Sequence, residues 1–252
     1  MAGGLDKAVR KTRREVKRVF IRLGLAQPYQ EEFFDGFAEV ARDSARVIVP
    51  LVMDLVRPTS VADVGCGLGI WLREFADAGV SDYRGFDGDY VRRDRLVIPV
   101  ESFTPTDLAA GVKSDRRFDL AVSLEVAEHL PEASADRFVE SLTKLAPVVL
   151  FSAAIPKQGG TGHINEQWPA YWAEKFATRG FVAVDCVRPA VWTNAKVAWW
   201  YAQNTVLYVE RSRLATLPKV ASAVERQPAG GGLPLALVHP HPYERVARRA
   251  GR

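Results

Sequence analysis

The stretch Val61-Ala62-Asp63-Val64-Gly65-Cys66-Gly67-Leu68-Gly69-Ile70-Trp71 constrains the fold more than any other in the chain. An apolar run over residues 60–64 meets three glycines at alternate positions, and an amphipathic pattern then begins at Ile70, Trp71, Leu72 and Phe75. The spacing predicts strand, glycine turn, helix. Glycine admits dihedrals closed to other residues and carries no side chain to hold a ligand off the backbone. A dinucleotide fingerprint requires its third glycine where Ile70 stands, and a phosphate-cradling P-loop requires Lys-Ser/Thr where the chain has Ile70-Trp71. Phosphate binding is thereby disfavoured, and a strand-to-helix turn without a ligand is the plain alternative.

Downstream of the turn the same alternation of strand and helix repeats. A helix over 70–78 ends at Gly79, and Tyr83-Arg84-Gly85-Phe86 leads as a second strand to Asp87, 22 positions after Gly65. In doubly wound nucleotide folds an acid about 20 residues on accepts the ribose hydroxyls, since one carboxylate can take both vicinal O–H groups. Asp89 is a weaker copy of the same idea. Residues 95–103 read as a third strand, Thr106-Asp107-Leu108 as a loop, and residues 117–124 as a buried strand of the parallel-sheet kind running into Glu125-Val126-Ala127-Glu128-His129-Leu130-Pro131. A helix over about 132–145 and a buried strand over 148–153 come next. Such alternation predicts an α/β fold whose mostly parallel sheet binds ligands at the carboxyl ends of its strands, where Asp63, Gly65, Asp87, Asp107 and Glu125 fall. The loop over 157–168 is dense in polar and aromatic groups, and Pro169 suits the first turn of a helix reaching about Arg179 before Gly180. Residues 181–187 and 205–210 read as a terminal antiparallel pair, and the aromatic cluster Trp192, Trp199, Trp200 and Tyr201 between them reads as loop packing in preference to a pocket lining.

The flanks differ in character. Residues 6–23 carry eight Lys and Arg with Val9, Val16, Val19, Phe20 and Leu23 at helical spacing, a basic amphipathic helix whose stripe packs on the domain or on a second copy, a homodimer through N-terminal helices, with contact to a membrane surface or nucleic acid as the alternative. After Gln27-Pro28, residues 31–55 read as one or two helices ending before Arg57-Pro58. Beyond Arg213 the composition turns to Pro, Gly, Ala and Arg, which reads as a tail. The organisation expected is a helical extension over 1–56, a core domain over 57–212 and a tail over 213–252. The net charge of +4 is concentrated at the two ends and says little about partners. No apolar run approaches a membrane span and no apolar segment follows the basic N-terminus, so a cytoplasmic protein is expected, its two cysteines, Cys66 and Cys186, free thiols.

Taken in order, Asp63-Val64-Gly65-Cys66-Gly67-Leu68-Gly69, Phe86-Asp87-Gly88-Asp89, Thr106-Asp107-Leu108 and Phe118-Asp119-Leu120 ahead of Glu125-Val126-Ala127-Glu128-His129-Leu130 resemble the motif series of class I S-adenosylmethionine-dependent methyltransferases. The resemblance spans roughly residues 55–210. It implies a Rossmann-like, doubly wound, mostly parallel seven-stranded sheet with an antiparallel terminal strand. It also implies that Gly65, Cys66, Gly67 and Gly69 pass the methionine part of S-adenosyl-L-methionine, and that Asp63 holds its amino group. Asp87 and Gly88 would meet the ribose, Asp107 the adenine amine with Leu108 on the ring, and Glu125 the far side of the site.

Glu125-x-x-Glu128-His129 with His163 beyond the next strand resembles the Glu-x-x-Glu-His plus distal His site of metal-dependent 2′-O-methyltransferases acting on small-RNA ends. A shorter form occurs in O-methyltransferases of ubiquinone biosynthesis. That resemblance implies a divalent metal (Mg, Mn, Fe or Zn) on Glu125, Glu128, His129 and His163, a donor set of mixed hardness. Without a metal, His163 is the best general base and His129 the second choice. The stretch 159–172 is also similar to a bacterial methyltransferase group associated with sugar, glycan and secondary-metabolite pathways. No RRM, KH or double-stranded-RNA pattern is present, so a small-molecule or glycan acceptor hydroxyl is preferred over RNA. A cofactor-binding scaffold subunit is the non-enzymatic alternative.

Overall fold

A computed structural model describes residues 31–226 and 236–244. The basic stretch over 6–23, and with it the expected dimer helix, lies outside them. The first helix, α1 (Glu31–Val56), is one continuous element despite Pro50. Ala41, Ala45, Ile48, Val49 and Val52 recur at three- and four-residue intervals and are all buried, so one stripe of α1 faces the core. The chain continues as β1 (Ser60–Val64), α2 (Ile70–Asp77), β2 (Asp82–Asp87), β3 (Phe103–Pro105), β4 (Leu120–Leu124), α3 (Ala135–Leu145) and β5 (Val148–Ser152). Then come α4 (Pro169–Ala177), β6 (Phe181–Val184), the short α5 (Arg188–Val191) and α6 (Trp199–Asn204), β7 (Val206–Glu210) and α7 (Pro218–Glu225).

The seven strands form one sheet in the order β3-β2-β1-β4-β5-β7-β6. Every pairing is parallel except those of β7, which runs antiparallel to both β5 and β6. The last strand in the chain thus inserts between β5 and β6 rather than closing the edge. Side chains alternate across the sheet: Val61, Val122 and Leu150 pack with α1, α2 and α6, whereas Ala62, Val64, Ala121 and Phe151 pack with α3 and α4. All five residues of β4 and of β5 are buried, as expected of strands covered on both faces. This is the α/β, Rossmann-like sheet that the sequence predicts. Strand order reverses between β1 and β4, and the crevice at their carboxyl ends opens there.

Three local expectations are corrected. Residues 95–103 are not a strand: Pro99 sits within the run and cannot donate to a ladder, so 3₁₀ turns over Arg93–Arg95 and Val100–Ser102 precede a three-residue β3. Within the segment after Arg213, Pro218–Glu225 folds into α7, because Leu217, Val220 and Ala223 form a buried stripe that composition averaged over the segment conceals. The aromatic run Trp199-Trp200-Tyr201 opens a helix, α6, instead of lying in a loop. Among the described residues no helix is long and apolar enough to cross a membrane.

Candidate active site

The glycine turn is tied to the neighbouring strand. Gly65 N and Cys66 N both donate to Phe86 O, at 2.7 and 3.3 Å. Gly65 has a φ of +86°, and a Cβ built on it would stand 2.3 Å from Val126 Cγ2, so left-handed backbone and close approach both demand glycine. Gly67 N donates to Asp87 Oδ2 at 2.7 Å, and Gly88 N to Oδ1 at 2.6 Å. Asp87 is therefore held with its carboxylate at the carboxyl end of β2. Burial pushes its pKa up, against the pull of Tyr90 and of these two amides.

The turn and Asp87 line a cavity of about 460 Å³, in the range of small-molecule sites. Gly65, Cys66, Gly67, Asp87, Leu108, Glu125, Glu128, His129 and His163, all singled out from sequence, stand on its wall. Four others do not. Asp63 is buried beneath the turn at 2% exposure, one carboxylate oxygen without a partner, its pKa driven well up by burial and then by the charge of Asp87. Gly69 caps α2, and Gly88 underlies the Tyr90 ring. Asp107 is exposed and caps a 3₁₀ turn through Ala109 N at 3.0 Å, leaving Leu108 as the cavity member of that pair.

Past β4 the chain enters a left-handed residue, Glu125 at φ +56°, and a 3₁₀ turn over Ala127–His129. The loop beyond β5 returns to it: Ile164 N and Asn165 N both donate to Glu128 O, at 2.8 and 3.0 Å. Those bonds carry His163 to His129, with ring centroids 4.9 Å apart and planes at 89°. Glu166 fixes the loop by accepting from Lys157 N at 2.7 Å and Gly159 N at 2.8 Å, and its Oε1 lies 3.0 Å from His163 Nδ1.

Glu128, His129 and His163 each bring one ligand atom within 4.8 Å of the others. The Glu128 carboxyl is wholly buried, and neither oxygen makes a hydrogen bond of normal geometry. Burial and then the charge of Glu125 push its pKa well up, and the nearby backbone of Glu128 and Ala154 offsets this only in part. Burial, followed by the neighbouring His163, lowers His129 to about 4. Burial likewise lowers His163, against the pull of Glu166. Both imidazoles are thus held neutral at pH 7, and with the buried Glu128 carboxyl, which a cation would deprotonate, they make a donor set that fits a divalent ion. Glu125 is not one of these three, although its side chain lies against that of Glu128. The Glu125 carboxylate accepts from Gln158 Nε2 at 2.7 Å and Asn204 Nδ2 at 3.0 Å, amides that sequence reasoning missed. Their only signal is polarity inside otherwise apolar surroundings: Gln203, Asn204 and Thr205 interrupt the run from Trp199 to Val209, and all three are buried. Tyr90 and Trp71 also line the cavity, as do Trp199, Trp200 and Tyr201, which the sequence alone assigns to loop packing.

A family model described as a methyltransferase domain matches residues 29–190, more than half of the chain. No curated protein matches it significantly. Among solved structures the chain is similar to DesVI from Streptomyces venezuelae, at 14% identity and a TM-score of 0.53 over 71% of this chain and 95% of that one. It is also similar to SAM-bound CalS10, an amino pentose methyltransferase from Micromonospora echinaspora involved in calicheamicin biosynthesis, at 13% identity and a TM-score of 0.51 over 72% and 98%. At such identities the two likenesses speak for the fold, while the family match speaks for the chain itself, which belongs to the methyltransferase-domain family.

Proposed function

We propose that the protein is an S-adenosylmethionine-dependent O-methyltransferase whose acceptor is a hydroxyl of a sugar, glycan or natural product. One observation carries the reading: the glycine turn with Asp87, a neutral histidine held by a carboxylate, and an aromatic wall share a single cavity. The bound donor supplies a methyl group on a sulfonium, a leaving group that needs no protonation. On this side Asp87 holds ribose hydroxyls, Gly65 and Gly67 let the backbone meet the methionine part, and Leu108 gives an apolar face. Asp63, buried under the turn with an unpartnered oxygen and holding its proton there, ionises against the ammonium group of the donor.

The acceptor side is Trp71, Trp199, Trp200 and Tyr201 with the two histidines. Flat aromatic faces suit the C–H face of a sugar ring or an aromatic natural product. With Glu166 Oε1 3.0 Å from Nδ1, that nitrogen carries the proton and Nε2 is the acceptor, so His163 takes the hydroxyl proton at Nε2. CalS10, an amino pentose methyltransferase, is in keeping with this acceptor class. Calorimetry with S-adenosylmethionine and its demethylated product should give one site per chain. Turnover on a panel of sugars, polyphenols and RNA 3′ ends should favour the small acceptors, and His163→Ala should lower kcat by about 10²–10⁴-fold. Failure to bind either form of the donor overturns the reading, and turnover on RNA ends alone replaces the acceptor.

A second reading is favoured by the Glu128 carboxyl, buried without a hydrogen bond of normal geometry beside His129 and His163. A divalent ion on Glu128, His129 and His163 would supply Lewis acidity to the acceptor hydroxyl. Loss of activity in chelator, with recovery on adding Mn or Zn and loss of metal uptake in Glu128→Gln, selects it over His163 acting as base.

A further inference from the structure

The acid at the end of β2 already holds a hydroxyl of the protein's own. Tyr90 donates its phenol to Asp87 Oδ1 at 2.5 Å, beside Gly88 N on the same oxygen at 2.6 Å and Gly67 N on Oδ2 at 2.7 Å. The two amides belong to the backbone; the phenol is the movable donor, on a side chain 44% exposed at the cavity wall. The sequence is arranged for this contact. A Cβ on residue 88 would stand 2.1 Å from Tyr90 Cε1, so glycine is what lets the ring lie there. A carboxylate oxygen has two lone-pair directions. Gly88 N and the phenol fill both on Oδ1, and Gly67 N fills one on Oδ2. One direction therefore remains where a vicinal diol needs two.

We infer that Tyr90 is a built-in competitor for the methyl donor: its phenol takes the position on Asp87 that one ribose hydroxyl requires, so the donor displaces it on entry and it replaces the product on exit. This rests on the reading of Asp87 as the ribose acceptor. The ring is half out in solvent, so a side-chain rotation that gives up the charge-assisted hydrogen bond to Asp87 displaces it. Donor affinity is thereby set below what the carboxylate alone would give, and the product meets a group ready to take its place.

The test is calorimetry and stopped-flow dissociation with S-adenosylhomocysteine on the full chain and on Tyr90→Phe, repeated with the 2′,3′-dideoxy analogue. Tyr90→Phe should bind S-adenosylhomocysteine about tenfold more tightly, the size expected for a hydrogen bond to a charged group, and should release it more slowly. The dideoxy analogue, which has no hydroxyl to compete, should bind parent and variant alike. Equal or weaker binding of S-adenosylhomocysteine by Tyr90→Phe overturns the inference, as does an equal gain with the dideoxy analogue, which would mark an effect of the ring's surroundings. Those outcomes leave donor binding by the parent intact. A parent that binds neither ligand overturns the donor reading itself.

Discussion

Asp63 is a carboxylate placed where folding alone would not put one. It lies at 2% exposure with one oxygen lacking a partner, and burial followed by the charge of Asp87 pushes its pKa well up. A buried charge without a cation is a net cost to the folded state. Residues that break a local rule in this way mark functional sites. The sign of the linkage is set by the direction of the shift. The folded form holds its proton to higher pH than the unfolded form, so the stability contributed by the protonated carboxyl is complete below the ordinary carboxylate range and is lost as pH rises through the folded pKa. Asp63→Asn should therefore raise the Tm of the donor-free protein near pH 7, by about 2–4 °C per kcal/mol recovered in a chain of this size. The gain should vanish near pH 4. The same variant should bind S-adenosylmethionine more weakly, which calorimetry reads directly. A lower Tm at neutral pH would mean that Asp63 has a cationic or hydrogen-bonding partner after all.

At the scale of elements, the glycine turn joins β1 to α2 by backbone that other residues adopt only under strain. Gly65→Ala would force a side chain into the left-handed region and against both Cγ atoms of Val126. Strain and overpacking together should cost about 3 kcal/mol, measured as a fall in the denaturation midpoint at unchanged slope. Gly67→Ala, with nothing within 4 Å of its Cβ, should cost distinctly less. This turn is legible in sequence because its cause is local. The buried runs of β4 and β5 are legible for the same reason. The antiparallel pairing of β7 with β6 is legible as a terminal pair of strands, but the insertion of β7 beside β5 is not, because it rests on contacts remote in sequence. In the site, the motif resemblance marks Glu125, Glu128, His129 and His163 as a set, and the structure brings the last three within 4.8 Å of one another. Glu125 falls in the set because Glu-x-x-Glu-His is contiguous in sequence. Its carboxylate meets Glu128 and also accepts from Gln158 and Asn204, which come from two other segments. The aromatic run of α6 reads as packing, and it does pack: Tyr201 lies edge-on to Trp71 at 5.2 Å within the core. That the same residues also face the cavity depends on the helix they open.

At the scale of the whole molecule, one chain of hydrogen bonds runs from the cavity wall to the C-terminal segment. Glu125 accepts from Asn204, Asn204 Oδ1 accepts from Gln203 Nε2 at 2.9 Å, and Gln203 Oε1 accepts from His239 N at 2.8 Å. His239 Nε2 lies 3.0 Å from Trp192 O, and the His241 ring stacks on Trp199 at 5.7 Å and 23°. Trp199 lines the cavity, so residues 236–244 contact its aromatic side, the side proposed for the acceptor. Buried amides that lose one partner bear a desolvation penalty and relax toward others. A chain ending at Leu235 should therefore keep its sheet, bind S-adenosylmethionine within about twofold of the full chain, and show a several-fold higher acceptor KM, because α6 loses both the His239 amide and the His241 ring. Donor and acceptor constants measured on the same preparation separate this from general loosening, which would weaken both together. An unchanged acceptor KM would reduce the segment to surface packing. The split matters because the two halves of the cavity are built differently: the half proposed for the donor from backbone turns at strand ends, the half proposed for the acceptor from side chains carried on α6 and the loop over 157–166, whose positions depend on bonds to distant parts of the chain.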